Sequence, residues 1–516
     1  MSARGRVAVL FRSALGFVFL AAFLSMAVQL RDLAGTRGLL PWADFLGRLS
    51  PGTTGALTRF LSFPTLFLWL HDDAALTLVP SAGAAIAVLL VLGLGGRVVP
   101  LVLWFLYLSC VTAGRDFFYY QWDNLLLEAS FLAIFLPGRG TLLDLMRGRR
   151  LPEPSPIVVF LLRWLLFRLL FESGLAKIAA GEGTWLNLSA MTYYYETAPL
   201  PSWGGWFVQQ FPLWFHHVSV FFTFFVELPL AICIFLPRRF RQAFFLIHLP
   251  FQASIGLTSN YGFFNPLSAA LSLLVLDDRG LDEARRLSRR VLRRTPPVEA
   301  GSPATAAAAP VESTAGRTAD WRRALPLVAL SLLAFCVVSA SVLEGLGYFL
   351  RGPILGWDTT RVRGLYAPFR TVNVYHLFPG IVRQRIDAEI EGSDDGVEWK
   401  PYHLRYAPGD PGVPPPMTWL HNPRLPFHYS FLTLGRGRRD QEYLNNLATR
   451  LCCDPAAVRH LFTDFPFPAG GPKALRLVYY HDRFGTWGDL SLGNYWLRER
   501  VGQPSRPLTC SCAPAP

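Results

Sequence analysis

The stretch Pro156–Gly181, PIVVFLLRWLLFRLLFESGLAKIAAG, decides the fold. Its length and apolar content suit a helix across a bilayer, which needs roughly 20 such residues, yet it carries Arg163, Arg168, Glu172 and Lys177. Ionisable groups at that depth are costly enough to require partners or a function. Arg168 and Glu172 lie one helical turn apart and are placed to pair with each other. Lys177 lies on nearly the opposite face, about 40° from the direction of Arg163 and roughly 21 Å further along the axis. It needs a partner from another helix, for which Asp123, Glu128, Glu196 and Glu227 are candidates, or it snorkels to the headgroups. Burial would disfavour its ammonium form and make it a usable base. Ser173, four residues earlier, allows a Ser–Lys nucleophile pair, but small residues at such positions also serve helix packing.

Outward from this stretch the same pattern recurs. Apolar runs at about 8–30, 76–95, 98–113, 121–136, 214–236, 240–257, 263–276 and 325–345 join 157–178 to make nine predicted spans, several shorter than a full crossing. The whole chain of 516 residues is 52% hydrophobic, 14% aromatic and 16% charged, with a mean hydropathy of +0.30. Soluble domains carry about 25% charged residues, so a simple soluble enzyme is excluded. The net charge of +13 sits largely in loops beside the apolar runs, where membrane topology explains it and no nucleic-acid partner is needed. Of the 49 basic residues only Lys177, Lys400 and Lys473 are lysines, a composition typical of GC-rich bacterial genes.

Loop charge sets the orientation. With a cytoplasmic N-terminus, the inner loops collect Arg97, then Arg139, Arg147, Arg149 and Arg150, then Arg238, Arg239 and Arg241, then the arginines of 277–323, as short cytoplasmic loops should. The outer segments 181–213 and 258–262 contain no Lys or Arg. Segment 31–75 is the exception, with Arg31, Arg37, Arg48 and Arg59, and its aromatic run 59–70 is broken by Pro64 and reads as re-entrant or interfacial. The first run lacks a small-residue cleavage site and reads as a retained signal-anchor. Nine crossings place the C-terminus outside.

Residues 281–294 form either an amphipathic helix on anionic headgroups or a solvated connector, and 295–320 read as a disordered linker. The expected organisation is a helical membrane domain (1–276), a basic linker (277–324), a last transmembrane helix (325–346) and a β-rich exported α+β domain (347–516). Strands are predicted at 371–378, 386–391, 399–406, 474–480 and 495–501, with a hairpin turn at Asp394-Asp395-Gly396 and helices at 440–451 and 454–464. Polar residues on the outer side include Asp123, Tyr193 to Glu196, His216 and His217, which line either one cavity or an interfacial belt. Glu227 and His248, in mid-span, call for interhelical partners. Cys110, Cys233 and Cys336 fall in spans. Cys452 and Cys453 are predicted to bond Cys510 and Cys512 in an oxidising compartment, a four-cysteine zinc site being the alternative; no other metal site is predicted.

Several longer motifs carry a resemblance. QWDNLLLEASFLAIFL (121–136), FESGLAKI (171–178), YYYETAPLP (193–201), NVYHLF (373–378), EGSDDGVEW (391–399), PRLPFHYSFLTLG (423–435) and NYWLRER (494–500) occur in an order that resembles the lipase maturation factor family. That resemblance implies a multipass membrane protein that helps secreted lipases fold, with the exported region binding clients and no cofactor. Its expected setting is the bacterial inner membrane for a prokaryotic source and the endoplasmic reticulum membrane for a eukaryotic one. Phe171–Tyr195 is more distantly similar to the vitamin K-dependent γ-glutamyl carboxylases and their bacterial transmembrane relatives. This second likeness implies a lipid-soluble quinol cofactor with Lys177 as base.

Three readings follow. A maturation factor would contact membrane lipids and exported clients, possibilities for the client surface being the aromatics Trp419, Phe427 and Tyr429, which could equally fill the domain's core. An intramembrane enzyme would use Lys177 with Asp123, His216 or His217 assisting. A scaffold would have no site at all.

Overall fold

In the computed structural model the described residues are 3–48, 55–283, 286, 321–350, 360–434, 438–467 and 470–512. Each apolar run becomes a helix: α1 (Gly5–Ala27), α2 (Ala75–Leu92), α3 (Val98–Ala113), α4 (Gln121–Ala133), α5 (Pro156–Ala179), α6 (Leu213–Glu227), α7 (Arg238–Thr258), α8 (Phe264–Leu273) and α9 (Trp321–Leu350). Among the described residues four helical segments are long and apolar enough to cross a membrane: Gly5–Ala27, Ala75–Leu92, Leu213–Ile232 and Leu325–Leu350. Large apolar side chains such as Leu78, Phe221, Leu246 and Phe335 face outward, whereas Asp123, Glu128, Arg168 and Lys177 are buried. That arrangement suits a protein whose solvent is lipid. Segment 281–294 is described only at 281–283 and 286, and the linker 295–320 lies outside the described residues.

Arginines from α1 and α5 join Arg97 and Arg241 of the expected inner loops at one end of the bundle, where they cap helix C-termini by donating to backbone carbonyls, Arg97 to Leu136 O at 3.2 Å. Arg12 donates to Pro137 O (2.9 Å) and Gly96 O (3.1 Å). Arg163 donates to Leu274 O (2.8 Å) and Val275 O (2.9 Å), joined there by Arg241 (3.0 Å). Arg6 pairs with Asp282 at 2.7 Å.

The opposite end carries the C-terminal domain. Its antiparallel sheet, in the order β3-β2-β1-β4-β5 with β6 on β4, comprises β1 (Ile386–Ser393), β2 (Lys400–Leu404), β3 (Phe462–Asp464), β4 (Ala474–Phe484), β5 (Trp496–Arg500) and β6 (Leu508–Thr509). The expected hairpin joins β1 to β2: Gly396 takes φ +75°, a conformation costly for other residues, and Asp395 Oδ1 accepts from the amides of Val397 and Glu398 at 2.8 and 2.9 Å. Against the sheet lie α10 (Arg424–Tyr429) and α11 (Arg438–Cys453).

Two elements differ from expectation. Residues 371–378 form no strand but an extended strap whose partners are side chains of the bundle. The predicted helix at 454–464 stops after Pro455–Val458, because the sheet edge captures Phe462: it pairs with Leu404 and packs on Tyr402 with ring centroids 5.6 Å apart.

Cys452–Cys510 and Cys453–Cys512 are disulfide-bonded, linking α11 to the strand β6 region, so the four sulfurs do not form the alternative zinc site. The bonds span 58 and 59 residues, and closing a loop of that length stabilises by about 4 kcal/mol in the chain-entropy view. Either bond closes nearly the same loop, so the second adds little. Cys452→Ala/Cys510→Ala or Cys453→Ala/Cys512→Ala alone should therefore shift the unfolding of the C-terminal domain only slightly, while removal of all four cysteines costs about 4 kcal/mol. Denaturant titration of the detergent-solubilised protein tests this, and equal, additive losses would refute it.

Candidate functional site

The polar residues of α4 and α5 form a cradle for the strap. α5 presents Arg168 and Glu172 at i and i+4 and Ser173 and Lys177 at i+5 and i+9, two stripes about 140° apart, the first pairing with α4 through Glu128 and the second with α6 through Glu227. The strap runs along them in the same direction. Glu128 on α4 takes the first contacts: it pairs with Arg168 and accepts from the Asn373 amide (3.1 Å), Asn373 Nδ2 (3.0 Å) and the Tyr375 hydroxyl (2.9 Å). Arg168 also donates to Asn373 O at 2.7 Å. Next, Glu172 accepts from the Tyr375 amide at 2.7 Å. Gln121 accepts from the His376 amide at 2.9 Å, and Ser173 Oγ from the Leu377 amide at 3.3 Å. Trp185 donates to Phe378 O at 3.0 Å. An extended backbone without ladder partners must satisfy its amides elsewhere, and here side chains of the helical domain do it.

Lys177 anchors the far end. It is 2% exposed, so it does not snorkel. Its Nζ donates to Glu227 Oε1 (2.8 Å), Leu377 O (3.0 Å) and Ser173 O (3.4 Å). An ammonium has three N–H donors, and all three are engaged. Gly174 makes the pairing possible, since a Cβ there would fall 2.7 Å from the Leu228 side chain and hold α5 off α6. Of the four candidate partners, Glu227 is the one used. Arg168 likewise takes Glu128 as its ion-pair partner in place of the expected Glu172.

Asp123 belongs to a second lock. Arg424 of α10 donates to it bidentately, at 2.6 and 2.7 Å, and the Tyr107 hydroxyl adds a 2.6 Å bond. Both ions are buried, with the guanidinium carbon 4.2 Å from the Phe118 ring centre. Around them α1 holds the preceding loop: Ser25 Oγ accepts from the Asn422 amide (3.1 Å) and Gln29 Oε1 from the Arg424 amide (2.9 Å). Asn260 clamps the same loop through Pro416 O (2.8 Å) and the Thr418 amide (2.9 Å).

The rim explains two of the four exceptional arginines of 31–75, Arg37 and Arg48. Arg48 (2.5 Å) and Arg115 (2.9 Å) both reach Glu442 on α11, and Arg37 pairs with Asp454. The Arg115 hydrogen bond, reinforced by Arg48, holds the Glu442 carboxyl down at about 2 against the opposing effect of partial burial. A carboxyl depressed from its ordinary 4.5 contributes stability that is complete above that value and is lost as pH falls toward 2. Docking of α11 should thus be constant through neutral and mildly acidic pH and loosen only below about pH 4.5, by no more than about 1 kcal/mol for so exposed a group. Hydrogen exchange of α11 against pH checks this; Glu442→Gln should abolish that acid dependence.

The other predicted site residues do not converge on Lys177. His216 is buried and bonded to Phe211 O (3.1 Å), His217 is half-buried, and His248 meets Ser268 (3.2 Å). Among the described residues no hydrogen bond or ion pair joins Asp123, Lys177, His216 and His217. Tyr194 and Tyr195 are buried and do not form an interfacial belt. Phe427, at 3% exposure, fills the interface core, where it packs edge-on to Tyr120 and Trp122 (4.8 Å each), and Tyr429, at 8%, is buried inside the C-terminal domain beside β1 and β2; of the two alternatives for these residues, burial matches the core and not a client surface. Trp419, 66% exposed, is the one of the three that faces out. Sequence reasoning missed Arg424, Asn373, Tyr375 and Glu442. The available signal was local: Asp123, Glu128 and Glu227 have no Lys or Arg within one helical turn of them, so each needs a donor from elsewhere in the chain.

A family model described as the lipase maturation factor transmembrane domain matches residues 6–283, and one for the lipase maturation factor C-terminal domain matches 371–505. Lipase maturation factor 2 of Mus musculus is 30% identical over 95% of this chain and 81% of its own length. Lipase maturation factor 1 of Bos taurus is 30% identical over 96% of this chain and 88% of its own length. No solved structure matches. With both of its parts matched and a relative at this identity spanning almost all of it, the chain belongs to the lipase maturation factor family.

Proposed function

We propose that this protein is a membrane-anchored maturation factor for exported proteins, with lipases as the client class that the names of its relatives point to. The observation that carries the reading is similarity that runs through bundle and C-terminal domain together, the two parts that the buried locks tie into one body. The orientation we favour has nine crossings, a cytoplasmic N-terminus and an exported C-terminal domain. Its support is the gathering of the capping arginines at the end of the bundle away from that domain. Membrane lipids and exported clients are the partners, and the bacterial inner membrane or the endoplasmic reticulum is the setting, according to the source. On the client side, the loop clamped by Asn260 presents Trp419, at φ +52°. The proposal needs no cofactor.

The quinol-dependent enzyme is not favoured, because Lys177 is engaged through all three of its donors by a carboxylate and two carbonyls. A cleft on the C-terminal domain, between β1, β2 and α10, has its carboxylates paired as well: Asp387 with Arg385 (2.6 Å) and Glu389 with Arg498 (2.7 Å).

The test is co-expression with an exported lipase in cells lacking any family member. Secreted lipase activity per unit of lipase protein should rise at least severalfold over empty vector and fall back when Trp419→Asp is introduced without loss of protein. An unchanged specific activity with and without the protein would overturn the proposal for lipases.

A further inference from the structure

The short helix Trp487–Ser491 and the turn after it carry apolar side chains into the open: Trp487 is 54% and Leu492 78% exposed. This tip is held firmly. Thr486 and Asp489 form a reciprocal capping box, which fixes the helix start, and Gln210 donates to Gly485 O at 3.1 Å. Trp487 stands edge-on to Trp206 (5.0 Å) and Phe207 (5.9 Å) of the helix Trp203–Gln209. A soluble domain gains nothing by fixing exposed tryptophan and leucine in place, and such surface marks an interaction.

The neighbouring rings say with what. From Trp487 the contacts pass through Phe207 to Phe211 (5.5 Å) and on to Phe215 (4.9 Å), in the first turn of α6. Leu213 and Trp214 in that turn, and Trp203 beside it, are also exposed. The span Leu213–Ile232 has 20 residues, about 30 Å of helix, which matches the hydrocarbon core. Its first turn therefore lies where hydrocarbon meets headgroups, the depth at which tryptophan is favoured. The ring series carries that level to the C-terminal domain. Charge agrees: 181–213 has no Lys or Arg, Glu196 is turned inward to accept from the Phe484 amide (2.7 Å), and Asp489 is engaged in its own cap.

We propose that the Trp487–Leu492 tip is a second membrane anchor. It enters the headgroup region of the leaflet reached by Leu213 and Trp214, so the C-terminal domain lies on the bilayer surface and does not stand clear of it. The contact is by apolar partition and does not require a particular headgroup. It rests on α6 crossing the membrane and is independent of which client is matured.

The test uses the full chain with Cys233→Ser and Cys336→Ser, labelled with an environment-sensitive fluorophore at Leu492→Cys, and in a second variant at Ser491→Cys, without reduction of the disulfides. The protein is reconstituted in phosphatidylcholine vesicles with no client present. The control label is at Val397→Cys, which is 83% exposed beside Asp394, Asp395 and Glu398. The tip labels should shift to the blue, resist aqueous iodide, and be quenched at least twofold more by nitroxide lipid labelled near the headgroup than at the chain end. The control should remain open to iodide. Tip labels that behave like the control overturn the proposal. So does shielding that appears only after a client protein is added, because that would make the tip a protein-binding surface.

Discussion

Arg424→Ala should release the C-terminal domain from the bundle, at a cost of about 3–5 kcal/mol, the range for breaking a buried ion pair from one side. The reason is what remains. Asp123 would be left without its guanidinium in a site closed to water, its remaining side-chain hydrogen bond among the described residues being that from the Tyr107 hydroxyl at 2.6 Å, while Phe117, Phe118 and Trp122 exclude solvent. A two-part membrane protein does not have one unfolding midpoint, so the suitable readout is the temperature at which a protease cuts between bundle and domain. That temperature should fall sharply in Arg424→Ala and in Asp123→Ala. It should recover substantially in Asp123→Leu/Arg424→Met, because replacing both charges with apolar groups removes the stranded ion. A loss in the double variant equal to the sum of the two single-variant losses would show that the pair is not coupled.

The second large effect separates two functions as well as two energies. Lys177→Met strands Glu227, whose other oxygen already has no partner, and removes the donor to Leu377 O that holds the end of the strap. A loss of about 3–5 kcal/mol is again expected, along with loss of client maturation as the strap loosens. Lys177→Met/Glu227→Gln removes both charges and should restore most of the stability and of the maturation activity. If Lys177 served as a base, the double variant would be stable and inactive. Protease sensitivity of the strap and secreted lipase activity, measured on the same preparations, distinguish these outcomes.

Both results depend on residues whose importance was visible before their purpose was. Charges in an apolar run such as 156–181 stand out from the sequence because their burial is expensive, but the sequence leaves Lys177 either paired with a carboxylate from another helix or snorkelling, and the structure has it paired and buried. The choice of Glu227 among four candidates was not readable, since it depends on Gly174 letting α5 and α6 approach. Arg168 and Glu172 had the spacing of a local pair, but Glu128 lay closer to the guanidinium and the Tyr375 amide took Glu172. Residues 371–378 show why an extended segment is ambiguous. A strand and a strap share the same backbone, and only the donors and acceptors beside it tell them apart. The arginines of 31–75, out of place for an outer loop, became intelligible once Glu442 and Asp454 stood opposite two of them.

The sequence by itself determined what is local or additive: the helical runs from hydropathy, the hairpin at Gly396, the existence of α11, and the family from motif order. These follow from side chains a few residues apart, or from totals that do not depend on how the chain packs. The tertiary structure alone decided the partners of Asp123, Glu128, Lys177 and Glu442, the burial of Phe427 and Tyr429, and the conversion of 371–378 from strand to strap. The ion pairs among those contacts join residues separated by 40 to 394 positions. In a low-dielectric interior each charge takes whichever counter-charge the packing brings within hydrogen-bonding distance, and sequence spacing carries no record of that distance.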